Sequence, residues 1–392
     1  MFDIWETISL LRQPCLSRAA TGPAVSDEGL VKDTIFRSID DLLWEDVETA
    51  MCERRAERFD ETLYTDDKWL TTSALQKCIR RGHRDLAERY ARSGVRMDAN
   101  HTFRRLAIIA LEDVGLGDLR LVAASLAILG DKRRRQRLGE ERLAVYLATE
   151  LSSAMKSRLS CEMLSLVEYD IETAKIAEPI ASLQPTALSE IFVSEDAGSS
   201  RQIIALWMLL GTDQLRSQRL SPKPGAGRRG LLNLLTQQSA PLIFHYIVRM
   251  GLSRCRDTLA IPYVCLALLA ARHPFWQVIR SDIPEVELIG SYPSFAYDMH
   301  TWIGRRALKQ FEVNCSEFLK AGGVQDVGNF IFSIEGGALN ARVMTTSSDR
   351  IRRKATQLEL FGREGPCIEL DQVSDDLLYQ LDTIRRRAAV NA

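Results

Sequence analysis

Asp298 and His300 are the residues of this chain whose types and spacing come closest to acid–base chemistry. A carboxylate can orient an imidazole, which serves general acid–base catalysis and metal binding. Two residues apart on a helix, however, the two side chains do not share a face, so a buried, hydrogen-bonded histidine is the favoured interpretation. The sequence has neither a Gly-x-Ser-x-Gly nucleophile turn nor a His-Glu-x-x-His motif. We therefore expect no catalytic residues, metal or cofactor.

A pentapeptide near the C-terminus, Gln357-Leu358-Glu359-Leu360-Phe361, has the residue types of a short docking ligand. In an extended conformation the Gln357 amide would contact a polar rim, the two leucines a shallow cleft and Phe361 an apolar pocket. Burying these three apolar side chains would contribute roughly 5–9 kcal/mol before ordering costs. After a few kcal/mol for immobilising the peptide, we expect an affinity in about the micromolar range. All four specified positions match the Gln-Leu-x-Leu-Phe pattern of ligands of the DNA polymerase III β sliding clamp, which is the expected partner.

The residues around the pentapeptide indicate a flexible segment. Thr345–Ser348 precede it and Gly362–Pro366 follow it, and both stretches have the composition of linkers. The alternative is a helix end, with Ile351, Ala355 and Leu358 on one face and the following glycine as the stop.

Charge is nearly balanced, with 51 basic and 52 acidic residues, so no global attraction to nucleic acid or membranes is expected. The basic residues are nevertheless bunched, and each run alone is most simply a solvated helix face. Together they allow a local phosphate-binding surface. The candidate DNA contacts are Arg305, Arg306, Arg350, Arg352, Arg353 and Lys354. Two aromatic sets are candidates for stacking on single-stranded DNA, although aromatic residues at helical spacing more often belong to a core. They are Phe275 and Trp276 with Arg272 and Arg280, and Tyr297 and Trp302 with Arg305 and Arg306.

The sequence also gives expectations about location. None of the eight cysteines lies in a Cys-x-x-Cys pair or near a histidine at ligand spacing, so a structural zinc site is not expected. The N-terminus does not read as a signal peptide, and the longest apolar stretch, Leu259 to Ala271, is too short to span a bilayer. We expect a reduced, cytoplasmic, nucleoid-associated protein without membrane contact.

Helical periodicity dominates the chain. Apolar residues recur at helical spacing from Leu75 to Tyr90, with Gly82 and Gly94 as expected turns. Strand-like alternation is scarce, with weak candidates at Val286 to Ile289 and Cys367 to Leu370. The predicted fold class is all-α, built of stacked helical hairpins or a bundle.

The breaker-rich stretch Ser221–Gly227 is the best candidate for an internal boundary. The expected domains are an N-terminal helical arm (1–64), a first helical domain (65–220), a second helical domain (228–340) and a C-terminal tail (341–392) with the pentapeptide and a short helix.

Three blocks between residues 65 and 165 resemble the helical C-terminal region of the RarA/MgsA family. They are Ser73–Asp85, Arg104–Asp118, and Ala144–Ala148 together with Met155–Ser157. The most specific string is Glu-Asp-x-Gly-Leu-Gly-Asp at residues 112–118. A fainter fourth match is Pro293 to Gly304, where Asp298, His300 and Gly304 resemble an Asp-x-His-x-x-Gly segment, although three residues rather than two separate His300 from Gly304 here.

Members of this family are AAA+ ATPases related to clamp loaders; they act at stalled replication forks and form tetramers through this helical region. The resemblance therefore implies a body like a clamp-loader collar and a homo-oligomer. It does not imply ATPase activity, because the chain lacks the Gly-x-x-x-x-Gly-Lys-Ser/Thr loop that holds phosphates. The nearest glycine cluster, Gly225–Gly230, lacks the lysine and a preceding strand.

The acidic pair Glu112 and Asp113 is expected to be architectural. The two glycines that follow are typical of a helix cap and a tight turn, and the carboxylates would then brace a helix start or pair with Arg104 or Arg105.

These observations together predict a non-catalytic replication or repair factor. It would dock on the β sliding clamp through Gln357–Phe361, while a clamp-loader-like helical body oligomerises or holds DNA or partner proteins. The alternative is a helical DNA-binding or replication-regulatory protein that acts independently of the clamp.

Overall fold

The structure is a computed structural model that describes most of the chain. The described residues are 27–53, 67–170, 172–194, 197–217, 219–273, 276–283, 285–314, 328, 331–332, 335, 337–361 and 375–390.

The described chain is mostly helical, which confirms the all-α prediction. The helices are α1 (Asp27–Glu53), α2 (Lys68–Arg81), α3 (Arg84–Ile109), α4 (Leu119–Gly130), α5 (Lys132–Leu138), α6 (Glu140–Ser153), α7 (Leu159–Glu168), α8 (Thr173–Ala181), α9 (Pro185–Val193), α10 (Gly198–Leu210), α11 (Gly227–Gln237), α12 (Leu242–Met250), α13 (Tyr263–Arg272), α14 (Trp302–Asn314), α15 (Thr346–Phe361) and α16 (Asp375–Val390). The short strands are β1 (Gln277–Arg280), β2 (Leu288–Ile289), β3 (Tyr292–Pro293) and β4 (Ala341–Met344). They pair antiparallel, β1 with β4 and β2 with β3.

Helix α2 shows how local sequence sets the helix ends. At its start the Asp67 carboxylate accepts hydrogen bonds from the backbone N–H groups of Trp69 (2.8 Å) and Leu70 (2.9 Å). At its end Gly82 adopts a left-handed conformation with φ of 76°, and its N–H donates to the Ile79 carbonyl. An aspartate at the start and a left-handed glycine at the end satisfy backbone groups that the helix leaves unpaired. The predicted turn at Gly82 is therefore confirmed.

The second predicted turn, at Gly94, is wrong. Gly94 lies inside α3, and the break in helical geometry falls at Asp98, with φ of −161° and ψ of 95°. The Asp98 carboxylate accepts a hydrogen bond from the His101 backbone at 3.0 Å and so starts the second half of the helix. Gly94 faces that half closely: a Cβ there would lie 2.8 Å from the Thr102 hydroxyl. The glycine therefore permits close packing beside the bend.

One hydrophobic cluster runs through the described body, from Phe36 on α1 to Leu358 on α15. Helices α2, α3 and α6 pack together at its centre, α1 and α12 pack on α4, and α15 packs on α7. The stretch Ser221–Gly227 folds back on the end of α10, where Thr212 N–H donates to the Lys223 carbonyl and Ala226 N–H to the Leu209 carbonyl, each at 2.8 Å. The division into domains at this stretch stays a prediction.

A short contact that the sequence did not predict joins distant parts of the body. The Lys156 backbone pairs with β4, donating to the Ala341 carbonyl and accepting from Val343 N–H, each at 3.0 Å. Strand β1, which pairs with β4, is four residues long and mostly exposed. It therefore lacks the alternation of apolar and polar residues by which a strand is recognised in a sequence. No helix in the described part of the chain is long and apolar enough to cross a membrane.

Gly115 is the glycine whose replacement tests this packing. It has φ of +50°, and a Cβ would lie 2.4 Å from the Ser157 carbonyl oxygen. Gly115→Ala introduces backbone strain at a positive φ and also pushes the added Cβ into the Ser157 carbonyl. We expect this collision to lower the free energy of unfolding by about 1–3 kcal/mol in addition to the loss from strain. Gly198→Ala is the matched control, since Gly198 has φ of +72° and no atom of the described residues within 4 Å of the added Cβ. Equal losses in the two urea titrations would contradict the close contact.

Candidate functional site

The sequence blocks Ser73–Asp85 and Arg104–Asp118 meet at one buried polar cluster, which Arg158, the residue after the third block, completes. We call it the acidic core; its members are Gln76, Arg80, Glu112, Asp113 and Arg158. Helix α2 supplies the glutamine and the first arginine, a π-helical turn at Ala110–Val114 supplies the two carboxylates, and the residue before α7 supplies the second arginine.

Asp113 lies at the centre of the acidic core with no solvent exposure. Its carboxylate accepts from Arg80 Nε at 2.8 Å, Arg158 Nη1 at 3.2 Å and Gln76 Nε2 at 3.1 Å. Glu112 contacts the same three partners, with Arg80 at 3.1 Å, Arg158 at 3.3 Å and Gln76 at 2.9 Å. Burial alone would raise the pKa of Glu112, but Arg158 and Arg80 hold it below its usual range, so the group stays ionised.

This arrangement corrects the expected partners of the carboxylates. Neither Arg104 nor Arg105 forms a described hydrogen bond or ion pair with Glu112 or Asp113. Arg104 donates to the Cys255 carbonyl at 2.8 Å, and Arg105 donates to the Gln76 side chain. Arg104 therefore points away from the acidic core and Arg105 reaches only its glutamine, whereas distant parts of the chain supply the partners of the carboxylates. The expected architectural role of the acidic pair fits this geometry.

The glycines after the acidic pair allow the third block to approach. A Cβ on Gly117 would lie 2.1 Å from the Met155 carbonyl oxygen, and Ser157 N–H donates to the Asp113 carbonyl at 2.9 Å. Lys156 between them is fully buried, and its ammonium donates to the carbonyls of Leu151 and Ser152 at 3.0 Å each, at the end of α6. Burial lowers the pKa of Lys156 to about 8. The lysine therefore caps the C-terminal end of α6.

The fourth block joins α2 through Asp298. One carboxylate oxygen forms an ion pair with Lys77 Nζ at 2.5 Å and accepts from the Ser73 hydroxyl at 3.0 Å. The other oxygen accepts from the His300 backbone N–H at 2.8 Å. Burial alone would raise the pKa of Asp298, but the Lys77 ammonium holds it down at about 2. A Cβ on Gly304 would lie 2.0 Å from the Asp298 carbonyl oxygen, which gives a steric reason for the glycine in this segment.

The predicted hydrogen-bonded, buried histidine is wrong, because the His300 side chain is exposed. The Asp298 carboxylate accepts a hydrogen bond from the His300 backbone and not from its imidazole. Its side-chain partners are Lys77 and Ser73. The two side chains therefore do not form an acid–base pair in this structure. Among the described residues, no three His, Cys, Asp or Glu side chains gather as metal ligands.

A second ion-pair cluster lies next to Asp298, and sequence reasoning missed it. Arg385 on α16 is bidentate to Glu335, at 2.9 and 2.8 Å, and contacts Asp382 at 2.7 Å. A cavity of about 20 Å³ lies between this cluster and Lys77, which is room for about one water molecule. Opposite charges about fifty residues apart gave no local signal.

The pentapeptide forms the last turn of α15. Gln357 is exposed, whereas Leu358 is buried together with Ile351 and Ala355 on the face that packs against α7. The expected flexible segment is therefore wrong as far as Phe361, and the helix-end alternative describes the structure. The side chains of Glu359, Leu360 and Phe361 and the backbone of 362–374 lie outside the described residues.

The residues expected to be a linker before the pentapeptide are a helix cap. Ser348 N–H donates to the Thr345 hydroxyl at 3.1 Å, and Thr345 N–H donates to the Ser348 hydroxyl at 2.6 Å. Hydroxyl side chains are common both in turns and at helix starts. The reciprocal hydrogen bonds between Thr345 and Ser348, three residues apart, identify this stretch as a helix start.

The candidate DNA contacts lie on two helices. On α14, Arg305 and Arg306 are exposed, and the Arg306 guanidinium lies 5.6 Å from the ring centroid of Trp302. Tyr297 is 3% exposed and donates its hydroxyl to the Ile289 carbonyl, so it belongs to the core, the favoured expectation, and does not offer its ring to single-stranded DNA.

On α15, Arg350, Arg353 and Lys354 are exposed and Arg352 is partly buried. Arg352 and Arg353 both pair with Asp349, at 3.0 and 2.7 Å. Their charge is thus partly neutralised within the helix, whereas no ion pair joins Arg305 or Arg306 to a described carboxylate.

Comparisons with protein-family models, with curated proteins and with solved structures gave no match to this chain. The functional assignment therefore depends on the residues and the geometry described above.

The acidic core predicts a large loss of stability when one arginine is removed. We expect Arg80→Met to lower the free energy of unfolding by about 3–5 kcal/mol, because it leaves the buried Asp113 with too few partners. Lys68→Met is the control, since the Lys68–Asp98 pair is about 40% exposed and should contribute less than about 1 kcal/mol. Urea unfolding followed by circular dichroism measures both, and similar losses would contradict the assignment.

The Lys77–Asp298 pair predicts a specific pH dependence. The pKa of Asp298 is about 2 in the folded chain and near 3.8 without the fold, so its stabilisation is complete above pH 3.8 and is lost as the pH falls through 2. We expect the stability difference between wild type and Asp298→Asn to shrink by about 2 kcal/mol between pH 4 and pH 2. Urea titrations across this range test it; parallel stability curves would show that the pair is not formed.

Proposed function

We propose that this chain docks on the β sliding clamp through Gln357–Phe361 and that its helical body holds DNA or partner proteins at the replication fork. The observation that carries the proposal is the pentapeptide itself, which matches all four specified positions of a clamp ligand and stands at the end of a helix. The last turn of a helix has carbonyl groups without helical partners, so it unwinds more readily than the interior.

Docking in an extended conformation requires that this last turn unwinds. Leu358 is 8% exposed in the folded helix, so releasing it costs about 1.5–3 kcal/mol of apolar burial. The same side chain would be buried again in the cleft of the clamp, which offsets the loss in part. The apparent affinity is therefore the affinity of the unwound segment multiplied by the fraction of chains in which the last turn is unwound. Clamp binding and helix folding thus compete for the Leu358 side chain.

The body offers a firm support for such a tether. Its blocks, far apart in sequence, are held by buried ion pairs around Asp113 and Asp298. These ion pairs agree with a structural role for the residues involved. The collar-like arrangement and the homo-oligomer are proposed here on the sequence resemblance to the RarA/MgsA family alone. A weak peptide contact gains from a second contact through the body, because the two then act at high effective concentration.

The alternative function is DNA binding without the clamp. The exposed cations of α14 beside Trp302 favour it, because charge and an aromatic surface occur together there. In that case the pentapeptide serves only to end α15.

Calorimetric titration of the purified chain into β clamp tests the proposed function. We expect micromolar binding that is lost in the Leu360→Ala/Phe361→Ala variant, because these side chains would fill the apolar cleft and pocket. The variant should keep the circular dichroism spectrum and melting temperature of wild type within a few degrees. Binding of unchanged affinity would refute clamp docking through this segment.

A second variant tests the competition between folding and docking in the same titration. Thr356→Pro removes a backbone N–H inside α15 and clashes with the preceding turn, so the pentapeptide is released without a change in its sequence. Clamp affinity should then rise by roughly tenfold, which corresponds to about 1.4 kcal/mol of helix stability no longer opposing binding. A lower affinity would show that the helical form is the one that docks.

A further inference from the structure

Helix α14 has two faces of different character. Ala307, Leu308 and Phe311 are buried, and the helix packs on α16 through this side. The opposite side carries Trp302, Arg306, Lys309 and Val313 at spacings of four, three and four residues, so they share one face. Together with Arg305, we call these residues the α14 face.

Trp302 on this face is 62% exposed and Val313 is 73% exposed. More than half of the indole surface is therefore open to a ligand, and an indole offers a flat apolar face on which a base can stack. The Arg306 guanidinium lies 5.6 Å from its ring centroid, which places a cation beside an aromatic surface.

The charge of the face points to the kind of ligand. Arg305, Arg306 and Lys309 are all exposed, and within the described residues no ion pair joins them to a carboxylate. The arginines of α15 differ, because Asp349 pairs with Arg352 and Arg353. Glu312 lies three residues after Lys309 on the same helix, so three cations against one carboxylate leave this part of α14 net positive, which complements a phosphate backbone.

We propose that the α14 face binds single-stranded DNA, with a base stacked on Trp302 and phosphates held by Arg305, Arg306 and Lys309. Duplex DNA is excluded as the main ligand because its bases are stacked on each other and offer no free face to an indole on a helix surface. The inference deepens the DNA-holding part of the proposed function and does not depend on clamp docking.

Fluorescence anisotropy with a labelled oligothymidylate, and with a labelled duplex of equal length, tests this proposal. We expect the single strand to bind more tightly, and Trp302→Ala to weaken its binding by at least about fivefold, the effect of one lost stack. Trp69→Ala is the matched control, because Trp69 is 61% exposed but lies on α2 beside His101. Both side chains are exposed, so both variants should keep the fold, which circular dichroism checks.

The cations are tested by the salt dependence of oligothymidylate binding. Replacing Arg305, Arg306 and Lys309 by Ala should reduce the slope of log affinity against log salt by about 2, since each phosphate contact to a single strand contributes about 0.7. The Arg352→Ala/Arg353→Ala variant should leave the slope nearly unchanged.

Three results would overturn the proposal: no binding of the oligothymidylate at low salt, tighter binding of the duplex, or equal effects of the two tryptophan variants. These titrations contain no clamp and the clamp titrations contain no DNA, so each of the two proposals can fail alone.

Discussion

The carboxylate of Asp113, which has no contact with solvent, is the constraint on which the rest of the body depends. A buried charge is tolerated only when partners surround it, and here they come from α2 and from the residue before α7. The chain must therefore bring three segments together, and Gly115 and Gly117 leave the space for them. Replacing any of these parts leaves either an unpaired charge or a backbone collision.

Helix α2 transmits this constraint to the rest of the chain. Its residues Ser73, Gln76, Lys77 and Arg80 follow helical spacing, yet all of them are buried. One end of this polar stripe binds Glu112 and Asp113, and the other binds Asp298, which holds the segment before α14. A helix with polar groups on a buried face has few alternative positions, because every shift breaks ion pairs that water cannot replace. The position of α14 is thus tied to the centre of the body.

The two proposed contacts use parts of the chain with different freedom. The pentapeptide ends α15, where Leu358 is buried, so the proposed docking would require this turn to unwind and would exchange one apolar contact of Leu358 for another. The α14 face needs no such rearrangement, since Trp302 and its neighbouring cations are already exposed. A preformed surface and a releasable segment suit a protein that holds one ligand firmly and another reversibly.

The sequence alone determined the helical class, the cap at Gly82 and the clamp-ligand pattern, because each depends on residues within a few positions of one another. It misplaced the turn at Gly94 and took the Thr345–Ser348 cap for a linker, since glycine and hydroxyl residues serve several local structures equally well. The ion-pair partners of Asp113 and Asp298, and the pairing of Arg385 with Glu335, were decided only by the tertiary structure, whereas Asp382 lies three residues before Arg385 on α16. Ion pairs between residues tens to hundreds of positions apart follow from how helices pack, and no local pattern of charges records that packing.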